Sequence, residues 1–166
     1  MNILVILDNI RSCHNVGAIL RTADGAGITR VICTGFTPYP EIVDDTRDPR
    51  IITKNSHRIS KTALGAEKTI DIRYDEDINT TIDHLKSVGY TLISLEETPE
   101  AVDLYSSLSE LKSYPKIALI VGNEVTGVQQ SVLNRSDQII CLPQMGDKNS
   151  LNVSVATGIA LYSLRF

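Results

Sequence analysis

The sequence predicts an α/β fold, a mostly parallel sheet flanked by helices, as a single domain over residues 1–166. Three observations carry this reading. Continuous apolar runs at residues 3–7 and 117–121 read as strands buried on both faces, as parallel sheets require. Between such runs, apolar residues recur at helical spacing: Val16, Ile19, Leu20 and Ala23, then Ile78, Ile82 and Leu85. The two signals alternate along the chain, which marks a layered α/β architecture.

Each element follows from local chemistry. Residues 3–7 form the first strand and residues 9–15 a polar loop. A helix follows, with Asn15 as N-cap and Gly27 as its stop. Residues 30–34 form a second strand. Pro38, Pro40 and Pro49 make residues 35–55 read as a long irregular loop, and long ordered loops are often functional. Residues 60–66 give a helical turn and residues 69–73 a short strand. Asp75 caps a helix that runs to Val88, and Gly89 ends it. Residues 90–95 form a strand, 96–105 an acidic loop and 107–111 a turn of helix. After the strand at 117–121 come a short helix at 129–134 and a strand at 138–142 ended by Pro143. A polar loop at 144–150, with Gly146 and Asp147 as turn formers, leads to a helix at 151–164 capped by Ser150. Ser154, Ala156, Gly158 and Ala160 let another backbone approach that helix closely.

Composition narrows the function classes. No apolar run is long enough to span a membrane, and the N-terminus lacks the pattern of a signal peptide. The expected compartment is the cytoplasm. Cys13, Cys33 and Cys141 are odd in number and, like His14, His57 and His84, show no metal-ligand spacing. They read as reduced thiols, and no metal is expected. The net charge of −4 argues against a generally nucleic-acid-coating surface. Yet Arg47, Arg50, Lys54, Arg58 and Lys61 crowd one stretch, opposed only by Asp48. That stretch reads either as a solvated loop or as a patch for phosphate groups. Arg11 is a further basic candidate.

Two familiar motifs fail on inspection. Residues 25–30, GAGITR, lack the third glycine of a dinucleotide fingerprint and follow a helix rather than a strand. Residues 122–127, GNEVTG, have phosphate-loop glycines, but Val128 and Gln129 replace the required Lys and Ser/Thr. Cys13 beside His14 does not make a nucleophile and base, because neighbouring side chains diverge.

Three stretches instead go together: residues 7–27, LDNIRSCHNVGAILRTADGAG; residues 117–128, IALIVGNEVTGV; and residues 139–162, IICLPQMGDKNSLNVSVATGIALY. In order and internal spacing they resemble the three motifs of the SpoU/TrmH branch of the SPOUT RNA methyltransferases. The resemblance covers essentially the whole chain. It implies a C-terminal trefoil knot, which periodicity could not suggest. It also implies a homodimer that transfers a methyl group from S-adenosylmethionine to a ribose 2′-hydroxyl of RNA. A tRNA is the first expectation and an rRNA the second. The alternative from another class is a non-catalytic RNA-binding module that retains the knotted fold.

The resemblance also assigns residues. Asn15 and Arg21 match the active-site Asn and Arg of the first motif, Glu124 the Glu of the second, and Asn152 the Asn of the third. Gly122, Leu142 and Leu151 are expected to line the cofactor site, with Ser150 beside it and Leu95 at another strand end. Without the resemblance, Leu142 and Leu151 read as core and Arg21 as an exposed helix residue. The basic residues Arg11, Arg47, Arg50, Lys54, Arg58 and Lys61 are expected to meet RNA. A guanidinium scarcely deprotonates, so Arg21 is expected to clamp a phosphate rather than to accept a proton.

Overall fold

A computed structural model describes residues 1–146 and 150–166; the turn expected at Asp147 lies outside the described residues. Among the described residues seven strands form one sheet in the order β3-β2-β1-β6-β4-β7-β5. They are β1 (Asn2–Asp8), β2 (Arg30–Thr34), β3 (Asp71–Asp75), β4 (Thr91–Leu95), β5 (Val102–Asp103), β6 (Lys116–Val121) and β7 (Gln138–Cys141). Every pairing between them is parallel. The helices are α1 (Cys13–Gly25), α2 (Pro49–Ala63), α3 (Ile78–Ser87), α4 (Leu104–Leu111), α5 (Gln130–Leu133) and α6 (Val153–Arg165).

The continuous apolar runs divide by the strand period of two. Ile3, Val5 and Leu7 of β1 and Ile117, Leu119 and Val121 of β6 join one core with α1, α2, α4 and α6. Leu4, Ile6, Ala118 and Ile120 point the other way, into a second core with α3 and α5. Alternate side chains of a strand point to opposite faces, so a sheet covered on both sides needs strands that are apolar throughout. The strand order reverses between β1 and β6. At such a switch point the crevice beyond the carboxyl ends accepts ligands. After β7, α6 packs on α1 and α4, an arrangement consistent with the expected threading.

Several boundaries differ from expectation. The N-cap of α1 is Ser12, whose hydroxyl accepts from the Asn15 N–H at 3.3 Å. Asn15 therefore lies inside the first turn, and its side chain is free for another role. The expected loop at 35–55 stops at Asp48, because α2 begins at Pro49. Asp48 accepts from the Arg50 N–H at 2.7 Å, and proline suits a first helical position, where no N–H partner exists. The turn expected at 60–66 is the end of this helix. Asp77 rather than Asp75 caps α3; Asp75 instead accepts from the Thr81 hydroxyl at 2.6 Å. Asn152 rather than Ser150 caps α6, accepting from the Ser154 N–H at 2.8 Å. The acidic loop contains β5, a short edge strand, and α4 begins earlier than expected.

The contact between α1 and α2 positions the basic helix. A Cβ added at Gly17 would stand 2.2 Å from the Thr62 hydroxyl and 2.3 Å from the Ile59 carbonyl oxygen. Gly17→Ala is therefore expected to destabilise the protein by about 1–3 kcal/mol, the usual cost of overpacking. Urea unfolding of the two proteins measures it; equal stability would mean that the helices separate at little cost.

Candidate active site

Beyond the ends of β4, β6 and β7 lies a cavity of about 370 Å³, within the roughly 300–1,000 Å³ range of small-molecule sites. Leu95, Gly122, Leu142, Ser150 and Leu151 all line it, as do Glu124 and Asn152. Leu142 is only 8% exposed and belongs to the core as well. Leu151 is 41% exposed, so its apolar surface is available to a ligand. Ser150 is exposed.

The loop after β6 is built to come close. A Cβ at Gly122 would stand 2.4 Å from the Gly127 carbonyl carbon and 2.4 Å from the Val128 nitrogen, so only glycine fits. Gly127 has φ +69°, a left-handed conformation that favours glycine. The Asn123 carboxamide folds the turn between them. Its oxygen accepts from the N–H groups of Val125 at 2.9 Å and Thr126 at 3.1 Å. Its nitrogen donates to the Asn9 carbonyl at 2.8 Å. Asn123 is missing from the residues expected from sequence, although asparagine in a glycine-bounded turn is the signal that could have found it.

This loop delivers Glu124 to the start of α1. One carboxylate oxygen accepts from the Arg11 N–H at 2.8 Å. The other accepts from the Ser12 N–H at 3.0 Å and the Asn15 side-chain nitrogen at 2.8 Å. The Asn15 side-chain oxygen in turn accepts from the Asn152 side-chain nitrogen at 3.2 Å. Three side chains from three distant segments thus form one hydrogen-bonded row, of which Glu124 and Asn152 line the cavity. Burial alone would raise the pKa of Glu124. The Arg11 N–H, the Asn15 amide and the Ser12 N–H outweigh it and hold the carboxyl below its ordinary value, so Glu124 is ionised at neutral pH.

Arg21 is not brought into this row. It is exposed on α1 and lines a separate, more open cavity with Thr22, Lys61 and Tyr162. Among the basic candidates, Arg11 is exposed and gives its backbone N–H to Glu124. Arg50, Lys54, Arg58 and Lys61 recur at helical spacing and form an exposed stripe along α2, opposite its buried Ile59 and Ala63. Among the described residues none of these four is in an ion pair. Arg47 departs from the expectation of a phosphate contact. Its guanidinium donates to the Tyr39 carbonyl at 3.0 Å, the Pro40 carbonyl at 2.8 Å and both oxygens of Asp45. It also lies 3.4 Å from the centroid of the Tyr39 ring. Hydrogen bonding to Arg47 holds the Asp45 carboxyl at about 2. Arg47 thus organises the loop before α2 instead of projecting from it.

No helix among the described residues is long and apolar enough to cross a membrane.

The 23S rRNA (guanosine-2′-O-)-methyltransferase of Vibrio vulnificus is 31% identical over 160 residues, 96% of this chain and 57% of that protein. The TrmH/SpoU tRNA modifying enzyme of A. aeolicus superposes with a TM-score of 0.78 at 26% identity, covering 99% of this chain and 74% of that one. The AdoMet-bound rRNA methyltransferase from Sinorhizobium meliloti gives 0.77 at 26% identity, covering 99% and 56%. The chain spans less than two thirds of the length of the curated relatives it matches, such as 57% and 58% of two of them. The SpoU rRNA Methylase family matches residues 2–162, nearly the whole chain with all three motifs, and this protein belongs to that family.

Proposed function

We propose that this chain is a 2′-O-methyltransferase that moves a methyl group from S-adenosylmethionine to a ribose hydroxyl of RNA. The observation that carries the reading is the row Glu124–Asn15–Asn152 at a cavity walled by Gly122, Leu142 and Leu151. The relatives' activities on tRNA and rRNA support the substrate class, and the AdoMet-bound neighbour supports the cofactor.

The residues present fit that cofactor. Leu95, Val121, Leu142 and Leu151 offer apolar walls for an adenine, and the glycine-bearing loop exposes backbone beside them. Glu97 and Glu124 also line the cavity, and carboxylates suit a ligand with cationic groups. When bound, the cofactor supplies an already activated methyl group on a sulfonium. Asn15 and Asn152 would orient the ribose, and the ionised Glu124 would hold Asn15 and the start of α1 in place. Fixing the reacting groups in line contributes much of the acceleration available to such a transfer. Arg21 would meet an RNA phosphate from the neighbouring cavity, leaving the proton to pass to phosphate or water.

Calorimetry is expected to show S-adenosylmethionine binding without added metal, and transfer of labelled methyl to cellular RNA should follow. Sequencing-based maps of 2′-O-methyl sites, with and without the gene, would identify the nucleotide, with tRNA ahead of rRNA. Absence of cofactor binding would overturn the reading.

We further infer a cytoplasmic, single-domain protein that pairs as a homodimer through α6, where Val155 and Tyr162 are exposed, as is Phe166 just beyond it. Light scattering at micromolar concentration tests this, and a monomer would refute the pairing. The stripe on α2 would dock the RNA. The double variant Arg50→Ala, Arg58→Ala should weaken RNA binding and lower its salt slope by roughly one to two. An unchanged slope would return the stripe to plain surface.

A further inference from the structure

We infer that Glu96 is a positioning residue for the cofactor cavity, an inference that rests on the function proposed above. Glu96 follows β4 and is half-buried. One of its carboxylate oxygens accepts from the Val128 N–H at 2.6 Å and the other from the Glu97 N–H at 3.0 Å. Its own N–H donates to the Ile140 carbonyl of β7 at 3.0 Å. A single residue therefore joins the ends of β4 and β7 to the loop after β6, the three segments that wall the cavity.

The loop is shaped around this carboxylate. A Cβ at Gly127 would stand 2.3 Å from a Glu96 oxygen, so the left-handed glycine there also makes room for the contact. The same loop carries Gly122 at one end and Glu124 in its middle. Glu124 ties the loop to α1, and Glu96 ties it to β4. Without Glu96 the loop keeps its turn, through Asn123, but loses the anchor that sets its distance from Leu95. A cavity wall that must be ordered by the ligand binds it more weakly than one already in place.

The test combines calorimetric titration of S-adenosylmethionine with hydrogen exchange at the Val128 amide in ligand-free protein. Charge-assisted hydrogen bonds of this kind are worth roughly tenfold or more in an equilibrium. Glu96→Ala is expected to raise the cofactor Kd at least tenfold and to speed Val128 exchange. Glu96→Gln, which keeps one acceptor oxygen, should fall between. A folded Glu96→Ala protein with parental Kd and exchange overturns the inference. Should that variant not fold, Glu96→Gln decides, and parental exchange at Val128 then overturns it. If the parent protein binds no cofactor, the proposed function fails, while the exchange comparison still decides whether Glu96 anchors the loop.

Discussion

Glu124→Ala is expected to slow methyl transfer about a hundredfold, the usual effect of displacing a reacting group by about 1 Å. The reason is the number of contacts that one side chain makes. Its loss leaves the N–H groups of Arg11 and Ser12 and the Asn15 carboxamide without their acceptor. Asn15 would then be held only through Asn152. Glu124→Gln should lie between, since its amide nitrogen must face a donor it cannot accept from. Single-turnover kinetics at saturating RNA and cofactor measures the effect; turnover within threefold of the parent would reduce the row to a structural feature. The pH dependence gives a second check. A carboxyl with a depressed pKa in the folded protein contributes its stabilisation above the ordinary glutamate value of about 4.3. That contribution disappears as pH falls through the depressed folded value. The parent should therefore hold the start of α1 down to pH values below the ordinary range, and Glu124→Ala should lack that acidic transition.

Arg21→Ala should show a different pattern: a rate loss on the order of a hundredfold, with folding and cofactor affinity nearly unchanged. Once bound RNA has excluded water from the site, loss of one charge-assisted contact costs on the order of 3 kcal/mol in the barrier, hence roughly that factor in rate. Arg21 is exposed and outside the cofactor cavity, so its removal touches neither core nor cofactor wall. Arg and Ala are both good helix formers, which leaves α1 intact. Arg21→Lys should also be poor, because an ammonium lacks the planar fork of donors. Methyl transfer to the correct RNA, with cofactor affinity measured alongside, tests this. Near-normal turnover in Arg21→Ala would make Arg21 an ordinary surface residue.

The two cases show how far local patterns reach. The apolar runs of β1 and β6 were legible because a strand buried on both faces admits few polar residues. The face of α3 formed by Ile78, Ile82 and Leu85 was legible for a similar reason, as all three are buried. Helix starts were less legible. Asn15, Asp75 and Ser150 all have capping chemistry, but so do Ser12, Asp77 and Asn152 a few residues away, and only backbone geometry chooses between them. The prolines of the loop before α2 concealed a helix start, since proline breaks a helix inside but suits its first position. Arg47 could not be read at all. A basic residue in a basic stretch looks available, yet its donors are taken by Asp45 and the carbonyls of Tyr39 and Pro40.

By itself, the sequence determined the layered α/β class, the apolar strands and the three motif segments. The resemblance of those segments was enough to nominate Asn15, Glu124 and Asn152. Only the tertiary structure decided that these three touch while Arg21 faces a separate cavity, and that Glu96 and Asn123 shape the loop between them. The physical reason is range. Periodicity and capping are set by neighbours within a few residues. The hydrogen bonds that join Asn15 to Glu124 and Asn152 cross 109 and 137 residues of chain, and they exist only because the strand order sets β6 beside β1 and β4.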